Sequence, residues 1–187
     1  MKIDVAKQII REYLSTKRYE HSLRVADVAQ DLAKIYQVNS YEATIAALFH
    51  DIAKDHSKET LKTKIKQFNL PMDLLKNHHE LWHGPVGAEM VKNKYDIISD
   101  DIYNAIYYHT TGRANMSPLE LIIYIADYIE PKRSQPGVDS VRKMAAIDLI
   151  KTALMISSQT IKYLIDKRAT IHINTFLAYH DFLNCLK

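Results

Sequence analysis

Apolar residues recur along this chain at intervals of three and four, the spacing of a helix with one buried face. In RYEHSLRVADVAQDLAKIY, Val25, Val28, Leu32 and Ile35 define such a stripe, and His21 lies four residues before Val25. In DDIYNAIYYH, Ile102, Ala105 and Ile106 form another, which His109 continues into the next turn. In LELIIYIADYIE, Ile123 and Ala126 point inward with Asp127 beside them. Carried along the chain, the pattern predicts helices at about 3–15, 17–37, 40–53, 58–68, 71–78, 85–95, 99–109, 117–130, 138–150, 153–166 and 174–186. Cap and break signals support several boundaries: Ser99 before Asp100 and Asp101, Ser117 before Pro118, the Gly84-Pro85 break, and Gly112 at a helix end. EPKRSQPGVD is the clearest loop, and no repeat or composition shift marks a second unit. An all-α fold in one domain over 1–187 is expected.

Composition agrees with that picture. Only 4 Gly and 5 Pro occur in 187 residues, too few for a fold of many tight turns, and 47% hydrophobic content suffices for a sizeable core. No apolar run approaches the ~20 residues of a membrane span, and the charged start MKIDVAKQIIREYLSTKRY lacks a leader's apolar stretch. Cys185 is the single cysteine, so neither a disulfide nor a thiolate-rich metal site is available within the chain, and a cytoplasmic setting is the default expectation. A net charge of +3 suits anionic small molecules as well as weak nucleic-acid contact. No basic block with interleaved aromatics is present, so no nucleic-acid partner is expected.

The chemistry-bearing residues break the apolar pattern. ALFHDIAKD places His50 and Asp51 among residues that all favour burial, and His21, His109 and Asp127 interrupt three further stripes. An unpaired buried carboxylate is strongly unfavourable, so Asp51 and Asp127 each need a cation. No obvious set of inward-facing Lys or Arg is legible for both. Histidines and carboxylates converging from four helices are what a metal ion would satisfy.

His21, His50-Asp51, His109 and Asp127 resemble the ordered H…HD…H…D signature of the HD-domain phosphohydrolases. More narrowly, YEHSLRVADVA, LFHDIAKD, LWHGPVGAEMV, AIYYHTTGRANMSPLELIIYIADYIEPKR and PGVDSVRKMA are similar to the YqeK-type members, bacterial symmetrical diadenosine tetraphosphate hydrolases that use two iron ions. The similarity runs from about Arg18 to Asp148 and thins past Ile150, where Ile173 and His180 replace the proline and asparagine of the family pattern. Lys54-Asp55 stands where the superfamily's (p)ppGpp hydrolases carry Glu-Asp, and no GYP follows.

The resemblance implies an HD-domain helical bundle with a metal-site core over about 18–130 and C-terminal helices over about 138–186. It implies that His21, His50, Asp51 and Asp127 bind one metal, that His83 and His109 bind a second, and that Asp51 bridges them. From the residues alone, His83 competes equally with His78 and His79 in NHHELWH. The activity implied is cleavage of diadenosine tetraphosphate to two ADP by a metal-bridging hydroxide, with iron as the family's metal; manganese or zinc also suits nitrogen and oxygen ligands. Alternatives are a metal-dependent hydrolase of nucleoside mono-, di- or triphosphates and a non-catalytic nucleotide-binding module. Lys54 is expected to act in catalysis, with Arg24, Arg133, Thr110, Thr111 and Gly112 binding substrate and Arg113 a weaker candidate. Trp82 and the Tyr107–Tyr108 pair could stack on a base. His56, His78, His79, His172 and His180 are expected outside the metal set, and a homodimer is compatible with the family.

Overall fold

The apolar helix PLELIIYIADYI is the axis around which the chain is arranged. In the computed structural model, which describes residues 1–95 and 99–187, it forms α7 (Pro118–Ile129). Ser117 caps it reciprocally with Glu120, and Pro118 occupies the first helical position. Its neighbours are α2 (Thr16–Ile35), α3 (Ser40–Phe49) and α6 (Asp100–Tyr108) on the metal-ligand side, with α8 (Val138–Ala145) and α9 (Leu149–Asp166) beyond. Helices α1 (Ile3–Tyr13), α4 (Lys58–Gln67) and α5 (His83–Tyr95) flank this core, and α10 (Ile173–Asn184) packs on α9. The described residues contain no strand. One buried apolar cluster runs from Ala6 to Phe182, and each fully buried Ile or Phe in it contributes roughly 1.5–3 kcal/mol. No described helix is long and apolar enough to cross a membrane.

Four expectations are corrected. The helix expected at 40–53 ends at Phe49, so His50 and Asp51 lie just past the helix end and not within its last turn. The backbone tightens there into three-residue turns, Ile52 N–H donating to Phe49 O at 3.0 Å and Lys54 N–H to Asp51 O at 2.8 Å. The segment expected helical at 71–78 is a 3₁₀ turn, Met72–Lys76, followed by another, His79–Leu81. Helix α8 stops at Ala145 and α9 begins at Leu149, because Asp148 caps the new helix by accepting from Lys151 N–H at 2.9 Å. Finally, the buried face of α2 is His21, Ser22, Val25, Ala26, Ala29, Leu32 and Ala33, whereas Ile35 is 50% exposed. With Val25 and Leu32, the small residues Ser22, Ala26, Ala29 and Ala33 make up most of this buried face.

Candidate metal centre

His50 and His109 occupy equivalent positions, each the residue immediately after a helix, α3 and α6 respectively. The last carbonyls of a helix lack intrahelical partners, and here they aim the imidazoles. His50 Nδ1–H donates to Ala47 O at 2.6 Å and His109 Nδ1–H to Ile106 O at 2.7 Å. His83, the first residue of α5, repeats the device with Glu80 O at 2.7 Å. The fourth ring, His21 on α2, donates from Nδ1 to Glu130 Oε1 at 3.2 Å. With every Nδ1 committed, the four Nε2 atoms carry lone pairs, and all point to one place. The negative ends of α3 and α6 point there as well, which favours a cation.

Asp51 lies in the middle and faces two ways. Its Oδ1 is 3.1 Å from His83 Nε2 and 3.7 Å from His109 Nε2. Its Oδ2 is 3.7 Å from His50 Nε2 and 3.9 Å from His21 Nε2. Asp127 Oδ1 completes the second half, 3.0 Å from His21 Nε2 and 4.0 Å from His50 Nε2. All six residues singled out as ligands therefore meet around one carboxylate.

Whether this constellation fits a metal can be judged from its polar atoms. His21 Nε2 and His50 Nε2 are buried without a hydrogen-bond partner. His83 Nε2 and His109 Nε2 face each other at 2.9 Å, acceptor against acceptor, since both rings use their proton elsewhere. Burial pushes the His50 imidazole down to about 4 and lowers His83 too, so those rings stay neutral. Burial would raise the Asp51 carboxyl, but His50, His109 and His83 outweigh it and hold the group well below its usual range. Asp127 behaves likewise, with His21, His50 and Arg133 overcoming burial. Burial would lower the His21 imidazole too, but Asp127 and Asp51 outweigh it and raise the group, so a cation there competes with a proton, whereas neutral His50 and His83 beside ionised carboxylates are already in the states that divalent cations require. The donor set fits.

Each of the two carboxylates has a basic partner, although no obvious set of inward-facing Lys or Arg was legible for both. Arg18 donates from its guanidinium to Asp51 Oδ2 at 3.1 Å, and Arg133 donates to Asp127 Oδ1 at 2.5 Å and to Asp127 O at 2.9 Å. The orphaned imidazole nitrogens, not unpaired carboxylates, make the physical case for metal.

The other singled-out residues fall on three sides. Arg24 forms a fork on Glu130, 2.6 Å from Nε to Oε2, and so braces the carboxylate that aims His21. Arg24, Arg133 and Arg18 line a basic cavity of about 300 Å³ with Lys17 and Lys132, and His21 and Glu130 form its inner wall. Lys54 Nζ is ion-paired with Glu80 Oε2 at 2.7 Å and lies 3.4 Å from His83 Nδ1, whose proton is already given to Glu80 O. Thr110 Oγ1 is 3.3 Å from His109 Nε2. Thr111 Oγ1 donates to Gly112 O at 2.9 Å, and Gly112 takes the left-handed φ of +65° that reverses the chain after α6. Arg113 is committed to Glu120, donating at 2.6 and 2.7 Å.

Glu130 and Arg18 escape a search for ligands. Burial pushes the Glu130 carboxyl up, yet Arg24 and the Lys132 N–H bring it down to about 2, so it stays ionised beside His21. Outer-sphere carboxylates of this kind typically hold 10–100-fold in metal affinity. Glu130→Ala is expected to weaken metal retention by roughly that factor, read as release to a competing chelator.

An all-helical core with paired histidines around an adjacent His-Asp defines a class: residues 18–132 match the HD domain, and the chain belongs to that family. The resemblance drawn from the H…HD…H…D motif therefore holds. Among its relatives, the symmetrical bis(5'-nucleosyl)-tetraphosphatase of Bacillus subtilis is 41% identical over 180 residues, 96% of this chain and 97% of the relative. The protein of that name from Staphylococcus aureus is 41% identical over 186 residues, 97% and 96% of the two chains. A crystal structure from Clostridium acetobutylicum, described as an HD superfamily hydrolase involved in NAD metabolism, superposes with a TM-score of 0.94 at 42% identity over 99% and 98% of the chains.

Proposed function

We propose that this chain hydrolyses diadenosine tetraphosphate symmetrically to two ADP at a centre of two metal ions. The ligands are His21, His50, Asp51 and Asp127 on one side and His83 and His109 on the other, with Asp51 shared. The observation that carries this reading is the division of Asp51, Oδ1 toward His83 and His109 and Oδ2 toward His21 and His50. Relatives bearing the tetraphosphatase name over nearly the whole chain support the substrate.

Paired cations supply an acidified water at neutral pH and relief of charge on phosphoryl oxygens. The chain's own residues do the rest. Arg18 and Arg133, already oriented by Asp51 and Asp127, present guanidinium groups at the rim of the basic cavity, where Lys17 and Lys132 add charge for a polyphosphate. Arg24 acts at this rim and through Glu130. Lys54, anchored by Glu80, places its charge beside His83 and offsets the charge growing on the departing ADP. Thr110, Thr111 and Gly112 follow His109 and shape the opposite rim.

We take the metal to be iron, because nitrogen and oxygen ligands without thiolate suit it and the resembled family uses it. Manganese and zinc are separated from it by metal analysis. A nucleotide substrate is consistent with the expected cytoplasmic setting. The buried cluster from Ala6 to Phe182 supports reading the whole chain as one domain.

The test is anaerobic purification with metal counting, followed by product analysis. Two metals per chain and ADP as the sole nucleotide product are expected. Faster turnover of plain mononucleotides, or binding of the dinucleotide without turnover, would sink the reading.

A further inference from the structure

A second cavity of about 190 Å³ adjoins the His109 side of the cluster, since Thr110 lines it and Thr110 Oγ1 is 3.3 Å from His109 Nε2, whereas the basic cavity is lined by His21. Tyr107, Tyr108, Thr110, Asp73, His172 and Asn174 are among its walls. We propose that it is a nucleoside subsite, which seats one adenine of the substrate and makes the C-terminal helix α10 the determinant of base selectivity. This rests on the function proposed above and adds to it the part of the chain that reads the base.

Size and charge both select a nucleoside there. The cavity is smaller than the roughly 300–1,000 Å³ of sites that enclose whole small-molecule ligands, so it takes one heterocycle and not a dinucleotide. Asp73 has no cationic partner among the described residues. Its carboxylate repels phosphate and accepts from hydroxyl or amino groups. The basic cavity on the His21 side has the opposite polarity. A polyphosphate ester therefore lies in one direction, phosphates toward Arg18 and Arg133 and a nucleoside toward Asp73.

The walls also offer what a purine recognises. The Tyr107 and Tyr108 rings, 4.5 Å apart, form an aromatic wall against which a base can pack, with the Arg113 guanidinium 5.2 Å from the Tyr108 ring centre. His172 Nδ1 accepts from Asn174 N–H at 3.1 Å, so its proton is on Nε2 as a donor. The Asn174 side-chain amide has no partner among the described residues. An asparagine amide pairs with the amino group and adjacent ring nitrogen of adenine.

What brings α10 to this place is the turn after His109. A side chain at Gly112 would meet Ala178 Cβ at 3.0 Å, so glycine lets the helix lie against the turn. Asp181 on α10 accepts from Asn115 N–H at 2.9 Å and ties the far side of the loop. The docked helix carries His172 and Asn174 over the cavity mouth.

The experiment measures steady-state kinetics of the metal-loaded protein on diadenosine and diuridine tetraphosphate. Variants are Asn174→Ala, Tyr108→Ala and Tyr108→Phe, each checked by circular dichroism and metal count. Wild type is expected to prefer the adenine substrate. Asn174→Ala and Tyr108→Ala should raise its KM roughly tenfold, the scale of one lost stacking or bidentate contact. Metal content and kcat should stay within about twofold, and Tyr108→Phe, which keeps the ring, should restore KM. Asn174→Ala should also lose the preference over uracil. Unchanged KM and preference, or a fall in kcat alone, overturns the subsite. If wild type does not cleave the adenine substrate, the proposed function fails, and adenosine titration followed by the single tryptophan decides the subsite separately. Trp82 donates to Leu74 O at 2.8 Å in the cavity wall, so its emission reports occupancy. Binding to wild type but not to Asn174→Ala retains the subsite; no binding removes it.

Discussion

Asp51→Ala is expected to release both metals and to lower turnover by at least about three orders of magnitude, because water loses the activation that the pair provides. In the proposed ligand set no other residue is shared between the halves of the site. Without it, four imidazoles and the single carboxylate of Asp127 face two dications. The fold is expected to survive. Ionised Asp51 is costly to bury, and its partner Arg18 is 35% exposed and can rehydrate when the carboxylate goes. Circular dichroism should match wild type while metal per chain falls from two to near zero. Retention of one firmly bound metal, or of wild-type turnover, would refute the sharing of Asp51.

The second large effect comes from a residue that touches no metal. Gly84→Ala should lower kcat/KM by about 100-fold, the order seen when a reacting group is displaced by an ångström. A Cβ at Gly84 would lie 2.8 Å from Tyr107 O, 3.2 Å from Ile106 O and 3.4 Å from His109 Cε1. Two of these are backbone atoms, so α5 and α6 must move apart. Ile106 O is also the carbonyl that aims His109. The methyl therefore separates His83 from His109 and loosens one ring at once. In an ordinary helix the same change would stabilise by about 0.5–1 kcal/mol; here overpacking costs roughly 1–3 kcal/mol and reverses the sign. Metal counting should find the loss confined to the half of the site built by His83 and His109. Wild-type activity in this variant would mean that the helices give way without disturbing either ring.

The helical class and five of the six site positions were legible from periodicity and from the His-Asp pair, because a polar group on an apolar stripe stands out. His83 was not. It opens a helix after two 3₁₀ turns, where neither period three nor four applies, and only the resemblance distinguished it from His78 and His79. Glu130 and Arg18 stayed hidden for another reason. A charged residue in EPKR or at the start of a helix reads as exposed, and only the folded chain buries Glu130 against His21 and sets the half-exposed Arg18 on Asp51. The α8–α9 boundary was misplaced because apolar residues continue across AIDLIK, while a single hydrogen bond to Asp148 decides where the helix restarts. In α2 the larger aliphatics drew the stripe toward Ile35, although the buried face runs through Ala26, Ala29 and Ala33.

Three imidazoles take their bearing from a carbonyl three places upstream, within Ala47–His50, Glu80–His83 and Ile106–His109. Each is a self-contained bracket of four consecutive residues. Insertions or rewritten loops between the brackets leave every bracket intact, so such chains are free to diversify their outer walls, and with them the choice of ligand, around an unaltered cage.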